Sequence, residues 1–298
     1  MIDAPHRGMK GKTIKSILAK KFDQFTASID DPAVRRLVEK NSIITGGCIA
    51  SMLLGEKIND FDLYFTNKST AVAVGQYYID KFTATTGHPM KLESEGDRVR
   101  IVTASGHRGE TAGDVATLED SGEIEDVYED LNEKAQNTES EGPAVYRPVF
   151  MSTNAITLSD RVQIVLRFYG EADQIHENYD FAHCTNYWTS GARALTLRQP
   201  ALESLLSKEL RYVGSKYPVC SVIRLRKFIR RGWVINAGQI LKMVMQVAEL
   251  DLTDPKVLED QLTGVDSAYF LEVMRNLREN DPEKVNAAYL VEIIDRMF

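Results

Sequence analysis

The most specific pattern in the chain lies in residues 43–65, which have the sequence IITGGCIASMLLGEKINDFDLYF. It predicts a short apolar strand, a double-glycine turn, a helix and a second strand that carries Asp60 and Asp62. Because side chains on a strand alternate between its two faces, these two carboxylates point the same way. The opposite face of this strand points into a core and carries Phe61, Leu63 and Phe65.

The double-glycine turn, Gly46-Gly47, lies directly before the predicted helix. Glycines at this point let a phosphate approach the backbone, and the start of the helix offers free N–H groups and a positive dipole end. Ser51, about one turn into the helix, could add a hydroxyl contact to the nucleotide. Asp60 and Asp62 can hold Mg²⁺ against a nucleoside triphosphate, since this ion prefers oxygen ligands. The pattern therefore favours a nucleotidyl-transfer site.

The composition is that of an ordinary globular protein with 298 residues, enough for two domains or one large one. Three cysteines, Cys48, Cys184 and Cys220, lie far apart and form no C-x-x-C pattern, which argues against a disulfide framework or zinc site. We expect a cytoplasmic protein, because the first twelve residues lack the apolar core of a signal peptide and no run approaches the ~18 apolar residues of a membrane span.

Charge is unevenly distributed along the chain. Residues 106–142 hold twelve acidic and two basic residues, a local charge of -10, so the remainder of the chain carries about +3. Residues 191–243 carry eleven Lys or Arg against two Glu. We interpret 106–142 as a mobile acidic insertion and the basic region as the binding surface for a polyanion. A solvated helical surface is the alternative interpretation of the basic region.

The remaining patterns predict an α+β head, residues 1–189, with a mixed sheet and flanking helices, followed by a basic all-helical lobe, residues 190–298. In the head, predicted helices cover 13–25, 33–40, 70–82 and 171–178, and predicted strands cover 98–103, 146–151, 162–168 and 179–184. In the lobe, predicted helices cover 201–211, 220–231 and 237–250, and Asp-Pro pairs near residues 254 and 281 mark further helix starts.

The motif of residues 46–62 resembles the head of the polymerase-β-like nucleotidyltransferase superfamily. It is similar to tRNA CCA-adding enzymes and bacterial poly(A) polymerases, where Gly-Gly-x-x-Arg-Asp-x-Leu-Leu-Gly precedes the carboxylate strand. Here the matching residues are Gly46-Gly47, Leu53-Leu54-Gly55, Asp60 and Asp62. Ala50-Ser51 replaces the Arg-Asp pair, which argues against a standard CCA-adding enzyme, as does the lack of a convincing Glu-Asp-x-x-Arg motif. The chain also resembles nucleotidyltransferase-like proteins of tailed phages.

The resemblance implies a third carboxylate on a later strand, for which Asp180 is the candidate and Asp97 and Asp160 are the alternatives. It also implies two Mg²⁺ ions that Asp60 and Asp62 would bridge. Asp180 would bind the ion that activates the incoming hydroxyl and would accept the proton of that hydroxyl. The reaction would move a nucleoside monophosphate from a nucleoside triphosphate to a hydroxyl and release pyrophosphate, without a template.

The basic segment around residue 224 offers a contact surface for a polyanion. Arg224, Lys227 and Arg231 share one helical face at i, i+3 and i+7, where they could hold a triphosphate or an RNA backbone. RNA, such as a tRNA 3′ end, is therefore the expected acceptor, with no membrane partner, in the host cytoplasm if the gene belongs to a phage. A protein hydroxyl is the alternative acceptor, and a non-catalytic nucleotide- or RNA-binding regulator is the competing class.

Overall fold

The computed structural model describes residues 8–103 and 146–252, together with the isolated positions 254, 257, 260 and 261. The predicted acidic insertion, 106–142, and the predicted helix starts near residues 254 and 281 lie largely outside these described residues. None of the helices in these described ranges combines the length and the hydropathy of a membrane-spanning segment.

The chain folds into helices on both faces of a mixed sheet, followed by a helical segment. The helices are α1 (Gly11–Ala27), α2 (Pro32–Asn41), α3 (Gly47–Leu54), α4 (Lys68–Thr86), α5 (Ala172–His176), α6 (Gln199–Ser207), α7 (Pro218–Arg230) and α8 (Ala237–Ala248). The strands are β1 (Ser42–Thr45), β2 (Phe61–Phe65), β3 (Met90–Glu95), β4 (Arg98–Thr103), β5 (Pro148–Met151), β6 (Ala155–Leu158), β7 (Val162–Tyr169), β8 (Tyr187–Thr189) and β9 (Ala194–Thr196).

The main sheet formed by the described residues has the strand order β5-β6-β7-β2-β1-β8-β9. Its β2–β7 pair is parallel, whereas its other neighbours are antiparallel, so the predicted mixed sheet is confirmed. Strands β3 and β4 form a separate antiparallel pair. The strand that carries Asp62 therefore lies in the middle of the main sheet, between β1 and β7.

Local sequence signals explain the helix–strand sequence of the head. The Asp31 side chain accepts hydrogen bonds from the N–H groups of Ala33 and Val34 at the start of α2, as its Asp-Pro sequence predicts. Gly55 ends α3 in the left-handed conformation, φ 74°, that favours glycine. One face of the sheet then packs on α1 and α4 in a core that includes Phe61, Leu63, Val162 and Ile164. Asp62 lies on the other face.

Residues 179–184 do not form the predicted strand. Ala182–Cys184 is a short 3₁₀ helix, and Phe181 makes only an isolated bridge to Tyr212. Tyr179 and Phe181 pack in two separate apolar clusters, and the backbone bonds to the following lobe, where the Ala182 N–H donates to the Arg211 carbonyl at 2.9 Å. This segment therefore forms backbone hydrogen bonds with residues distant in the sequence instead of a regular strand.

The predicted helical lobe begins later than residue 190, because β9 still belongs to the sheet. From Gln199 onward, α6, α7 and α8 pack together through a second apolar cluster that also reaches the head. Its buried members are Ala50, Phe181, Leu205, Leu210, Tyr212, Trp233 and Met243. This cluster places the basic helix α7 beside the segment that contains Asp180.

Candidate nucleotide and metal site

Gly46 is the point at which the double-glycine turn meets the carboxylate strand. Its φ of 95° and ψ of -152° are accessible to glycine but strained for other residues. A Cβ atom at this position would lie 2.6 Å from Oδ2 of Asp62. Gly46 therefore allows the Asp62 carboxylate to lie directly against the backbone that enters α3.

Gly47 has a different environment from Gly46. It is exposed at the first position of α3, and a Cβ atom added to it would meet nothing within 4 Å. The fold does not require glycine here, so the open space beside Gly47 is available to a ligand. The adjacent N–H groups of α3 have the orientation that binds anions at helix starts.

Asp62 has a polar residue as its aligned neighbour on each of the two adjacent strands. It is aligned with Thr45 of β1 on one side and with Gln163 of β7 on the other. Val162 and Ile164 belong to the apolar core on the opposite face, so Gln163 shares the face of Asp62. Asp60 lies one residue before β2, where the Phe61 N–H donates to the Arg161 carbonyl at 2.8 Å.

Buried thiol and phenol groups border these carboxylates. Burial, followed by the charges of Asp62 and Asp60, raises the pKa of Cys48 well above its ordinary value. The helix start therefore does not activate this thiol, whose side chain packs in the core. Burial also raises the pKa of Cys184 to about 12, with the charges of Asp180 and Asp62 adding to the shift. Asp62 and Asp180 thus both influence the charge state of the Cys184 sulfur.

Tyr179 lies against the glycine turn. Its hydroxyl is 3.5 Å from the Cβ position of Gly46, and its oxygen is inaccessible to solvent. Burial, together with the neighbouring Tyr64 and the charge of Asp62, holds the pKa of Tyr179 well above its ordinary value. The phenol therefore keeps its proton beside the carboxylate.

Asp180 is held by the basic helix. Its Oδ2 accepts a hydrogen bond from Nε of Arg224 at 2.6 Å, and its Oδ1 accepts from Nη2 of Arg224 at 3.1 Å and from the Ser221 hydroxyl at 2.7 Å. The Asp180 side chain is 11% exposed and the Arg224 side chain 26% exposed. Two residues predicted to serve metal and nucleotide binding are therefore paired with each other.

The other predicted cations and Ser51 are also placed by the structure. Arg231 donates through Nη2 to Oε2 of Glu56 at 2.6 Å, so a second cation of the basic helical region contacts the head. Lys227 lies on α7 between the two arginines and is partly buried. Ser51 is buried in α3 at 8% exposure. The roles of Lys227 and Ser51 in nucleotide binding stay predictions.

The residues fit a Mg²⁺ ion bound together with a nucleotide better than a three-carboxylate site. Among residues 8–103, 146–252 and the few described beyond them, no three His, Cys, Asp or Glu side chains form a group that could hold a metal. Mg²⁺ is commonly bound by one or two carboxylates together with substrate phosphates. Asp60 and Asp62 meet that requirement, and the metal role of Asp180 stays a prediction that its pairing with Arg224 does not support. The same holds for the alternative candidate Asp160, which pairs with Lys21.

Two histidines stabilise the surroundings of the site. Nε2 of His176 lies 2.8 Å from the Thr45 hydroxyl, and that hydroxyl lies 2.9 Å from the Asn186 carbonyl oxygen, so the three groups form a hydrogen-bonded chain. His183 packs against the rings of Phe228 and Trp233. Burial lowers the pKa of His176 to about 4 and that of His183 to about 3, which keeps both neutral at pH 7.

Sequence reasoning did not identify Gln163, the Thr45–His176 hydrogen bond or the Asp180–Arg224 pair as features of the site. The Asp180–Arg224 pair joins residues 44 positions apart, and the Thr45–His176 contact joins residues 131 positions apart. No local pattern marks either contact. The alignment of Gln163 with Asp62 follows from the order of strands in the sheet, which periodicity alone does not give.

Comparison with solved structures finds similarity to CCA-adding enzymes. The Thermotoga maritima enzyme complexed with tRNA is 13% identical, with a TM-score of 0.38, and the alignment covers 90% of this chain and 57% of that one. The Bacillus stearothermophilus enzyme in complex with CTP is 12% identical, with a TM-score of 0.39, and the alignment covers 93% and 57%. Overlap at this level establishes nothing about activity.

Comparison with curated proteins finds the Gabija anti-defense 2 protein of Bacillus phage SPbetaL7. It is 20% identical over 257 residues, which cover 86% of this chain and 49% of the relative. The chain thus spans about half the length of that relative. Comparison with protein families matches residues 16–208, more than half of the chain, to the family described as "Gabija anti-defense 2 family protein". The chain therefore belongs to the Gabija anti-defense 2 family.

Proposed function

We propose that this protein binds a nucleoside triphosphate with Mg²⁺ at Gly46, Gly47, Asp60 and Asp62, and transfers its nucleoside monophosphate to a hydroxyl acceptor. We propose further that this transfer counteracts the Gabija defence in the cytoplasm of an infected host. The first part rests on the site, and the second part rests on the family name and on the phage origin of the relative.

The observation that carries the proposal is the close approach of Asp62 to the glycine turn. The Cβ position of Gly46 lies 2.6 Å from the Asp62 carboxylate, while the space beside Gly47 is open. A triphosphate that accepts hydrogen bonds from the start of α3 would therefore lie beside the carboxylate that binds its metal ion. A solvated pair of aspartates would not require glycine at this position.

Each residue has a defined part in the proposed reaction. Asp60 and Asp62 would hold the ion beside the phosphates, and the N–H groups at the start of α3 would donate hydrogen bonds to phosphate oxygens. When bound, Mg²⁺ stabilises the charge on the attacking and leaving oxygens. The acceptor oxygen forms a bond to the α-phosphorus, the bond from the α-phosphorus to the bridging oxygen breaks, and pyrophosphate leaves. The hydroxyl proton passes to solvent.

The acceptor we favour is a hydroxyl on a protein of the defence system. The expectation of an RNA acceptor rested on the basic lobe, where two of the three cations on the predicted binding face form ion pairs, Arg224 with Asp180 and Arg231 with Glu56. These ion pairs weaken the argument for a polyanion on that face. The family name, by contrast, points to a defence system as the target.

A non-catalytic nucleotide-binding regulator is the second candidate. The observation that favours it is the pairing of Asp180 with Arg224, which leaves two carboxylates where the resemblance implies three. Such a protein would bind nucleotide with Mg²⁺ but release no pyrophosphate.

The test uses purified full-length protein with Mg²⁺, each α-³²P-labelled nucleoside triphosphate in turn, and either total RNA or the purified Gabija proteins. The Asp60→Ala/Asp62→Ala variant and a reaction containing EDTA are the controls. Label on a defence protein, absent from both controls, supports the proposal. Label on RNA supports nucleotidyl transfer but identifies RNA, rather than a defence protein, as the acceptor.

Two further outcomes separate the candidates. Nucleotide bound in a Mg²⁺-dependent way by wild type, without label on any acceptor, would favour the regulator. Equal behaviour of wild type and the double variant in binding and labelling would contradict both candidates, because both require Asp60 and Asp62.

A further inference from the structure

Gln163 of β7 lies beside Asp62 in the main sheet. In the parallel β2–β7 pair it is aligned with Asp62, and the neighbouring pairs Phe61–Val162 and Leu63–Ile164 keep the same register. Neighbouring strands lie about 4.8 Å apart, so side chains at one level on one face are in contact range of a shared ion. Gln163 is therefore the β7 residue whose backbone is aligned with Asp62 and whose side chain leaves the sheet on the same face.

The Gln163 side chain is also available. It is partly exposed, and within the described part of the chain no hydrogen bond involves its amide group. The amide oxygen is a neutral acceptor with two lone pairs, and Asn and Gln carbonyl oxygens are established ligands of hard cations. By contrast, the two oxygens of Asp180 accept from Arg224 and Ser221.

We propose that Gln163 supplies the third protein oxygen of the divalent-cation site, beside Asp60 and Asp62, in place of a third carboxylate. This inference rests on the proposed function, because the ion is the one that accompanies the nucleotide. A neutral third ligand gives the protein part of the site a charge of about -2 rather than -3, and affinity for such ions follows the number of charged ligands. The ion therefore binds weakly alone and tightly with the triphosphate.

The substitution Gln163→Glu tests this arrangement because it restores a third carboxylate without a change in side-chain length. Its Mn²⁺ affinity, measured by isothermal titration with Mn²⁺ alone, is expected to rise roughly tenfold or more, since ligand charge sets the affinity. In EDTA the same variant is expected to unfold at a lower temperature than wild type, because three like charges then lie together. With Mn²⁺ bound, Gln163→Glu is expected to unfold at a higher temperature than wild type. Gln163→Ala is expected to weaken Mn²⁺ binding several-fold.

Gln76→Glu is the matched control. Gln76 is an exposed residue of α4, which packs on the opposite face of the sheet, so this variant adds the same charge away from the site. Its Mn²⁺ affinity is expected to equal that of wild type. Circular dichroism in EDTA verifies that each variant is folded before titration.

The outcomes distinguish this inference from the proposed function. If wild type binds Mn²⁺ and Asp60→Ala/Asp62→Ala does not, but both Gln163 variants match wild type, the inference is wrong while the metal site stands. If Gln76→Glu tightens binding as much as Gln163→Glu, the effect is one of net charge and the inference is wrong. If wild type binds no Mn²⁺ with or without nucleoside triphosphate, the proposed function fails and the inference fails with it.

Discussion

The pair formed by Asp180 and Arg224 holds the basic helix α7 against the head, and its removal is expected to have an asymmetric effect on stability. Asp180 is 11% exposed, so Arg224→Ala leaves a nearly buried carboxylate with the Ser221 hydroxyl as its recorded partner. Arg224 is 26% exposed, so in Asp180→Ala its guanidinium can turn to water. Arg224→Ala should therefore be the more destabilising substitution.

The magnitude follows from the burial of the two groups. Removing one partner of a fully buried ion pair costs about 3–5 kcal/mol, and the partial exposure of Arg224 lowers our expectation to about 2–3 kcal/mol. Asp180→Ala should cost about 1–2 kcal/mol, because the remaining charge can be hydrated. The double variant should be more stable than the sum of the single losses predicts, by about 1–2 kcal/mol.

The assay is urea denaturation of wild type, the two single variants and the double variant, followed by circular dichroism. Arg231→Ala is the matched control: its ion pair with Glu56 also joins this region to the head, but the two side chains are 37% and 27% exposed. Exposed pairs contribute about 0.2–1 kcal/mol, so this variant should stay within 1 kcal/mol of wild type. Equal losses of stability in Arg224→Ala and Arg231→Ala, or strictly additive losses in the double variant, would show that the Asp180–Arg224 pair does not stabilise the protein in this way.

Three other predictions follow from the site. Gly46→Ala should lose roughly 2–4 kcal/mol of stability, from backbone strain and the clash with Asp62. Gly47→Ala should keep its stability but bind nucleotide more weakly in calorimetric titration. A stable Gly46→Ala together with a destabilised Gly47→Ala would contradict the roles given to the two glycines. If Asp180 only positions α7, Asp180→Ala should retain Mg²⁺-dependent nucleotide binding, and complete loss in a folded variant would restore its predicted metal role. Below pH 6.5 the unfolded chain binds protons that neutral, buried His183 does not. His183 should therefore lower the free energy of unfolding by about 1.4 kcal/mol for each pH unit below 6.5. Between pH 7 and pH 5, the free energy of unfolding measured by denaturation should fall by about 2 kcal/mol less in His183→Phe than in wild type. An equal fall in the two proteins would contradict this role of His183.

The sequence was most informative where structure depends on neighbours in the chain. The strand, turn, helix and strand of residues 43–65 have strong local signals, and the structure places all four as predicted, with Asp60 one residue outside β2. The helix starts at Asp31-Pro32 and the helix end at Gly55 likewise depend on one or two residues. These are interactions that a sequence pattern can encode.

Long-range pairing explains what the sequence did not predict. Strand β6 has the sequence AITL within a stretch rich in Ser, Thr and Asn, and it exists because β5 and β7 pair with it from both sides. The segment 179–184 is predicted as a strand but bonds to residues 211–213 of the lobe. The basic face of α7 gives no sign that Asp180 would pair with Arg224. Charge pattern alone predicted a surface for a polyanion, and the fold uses at least part of it to join two regions of the chain.

Isothermal titration determines whether a nucleoside triphosphate binds at the Gly46–Asp62 contact. Each nucleoside triphosphate is titrated into wild type and into Asp60→Ala/Asp62→Ala, with Mg²⁺ and again with EDTA. We expect wild type to bind at least one triphosphate in Mg²⁺, and we expect this binding to be lost both in EDTA and in the double variant. Equal binding by the two proteins, or no binding by wild type under either condition, would contradict this expectation.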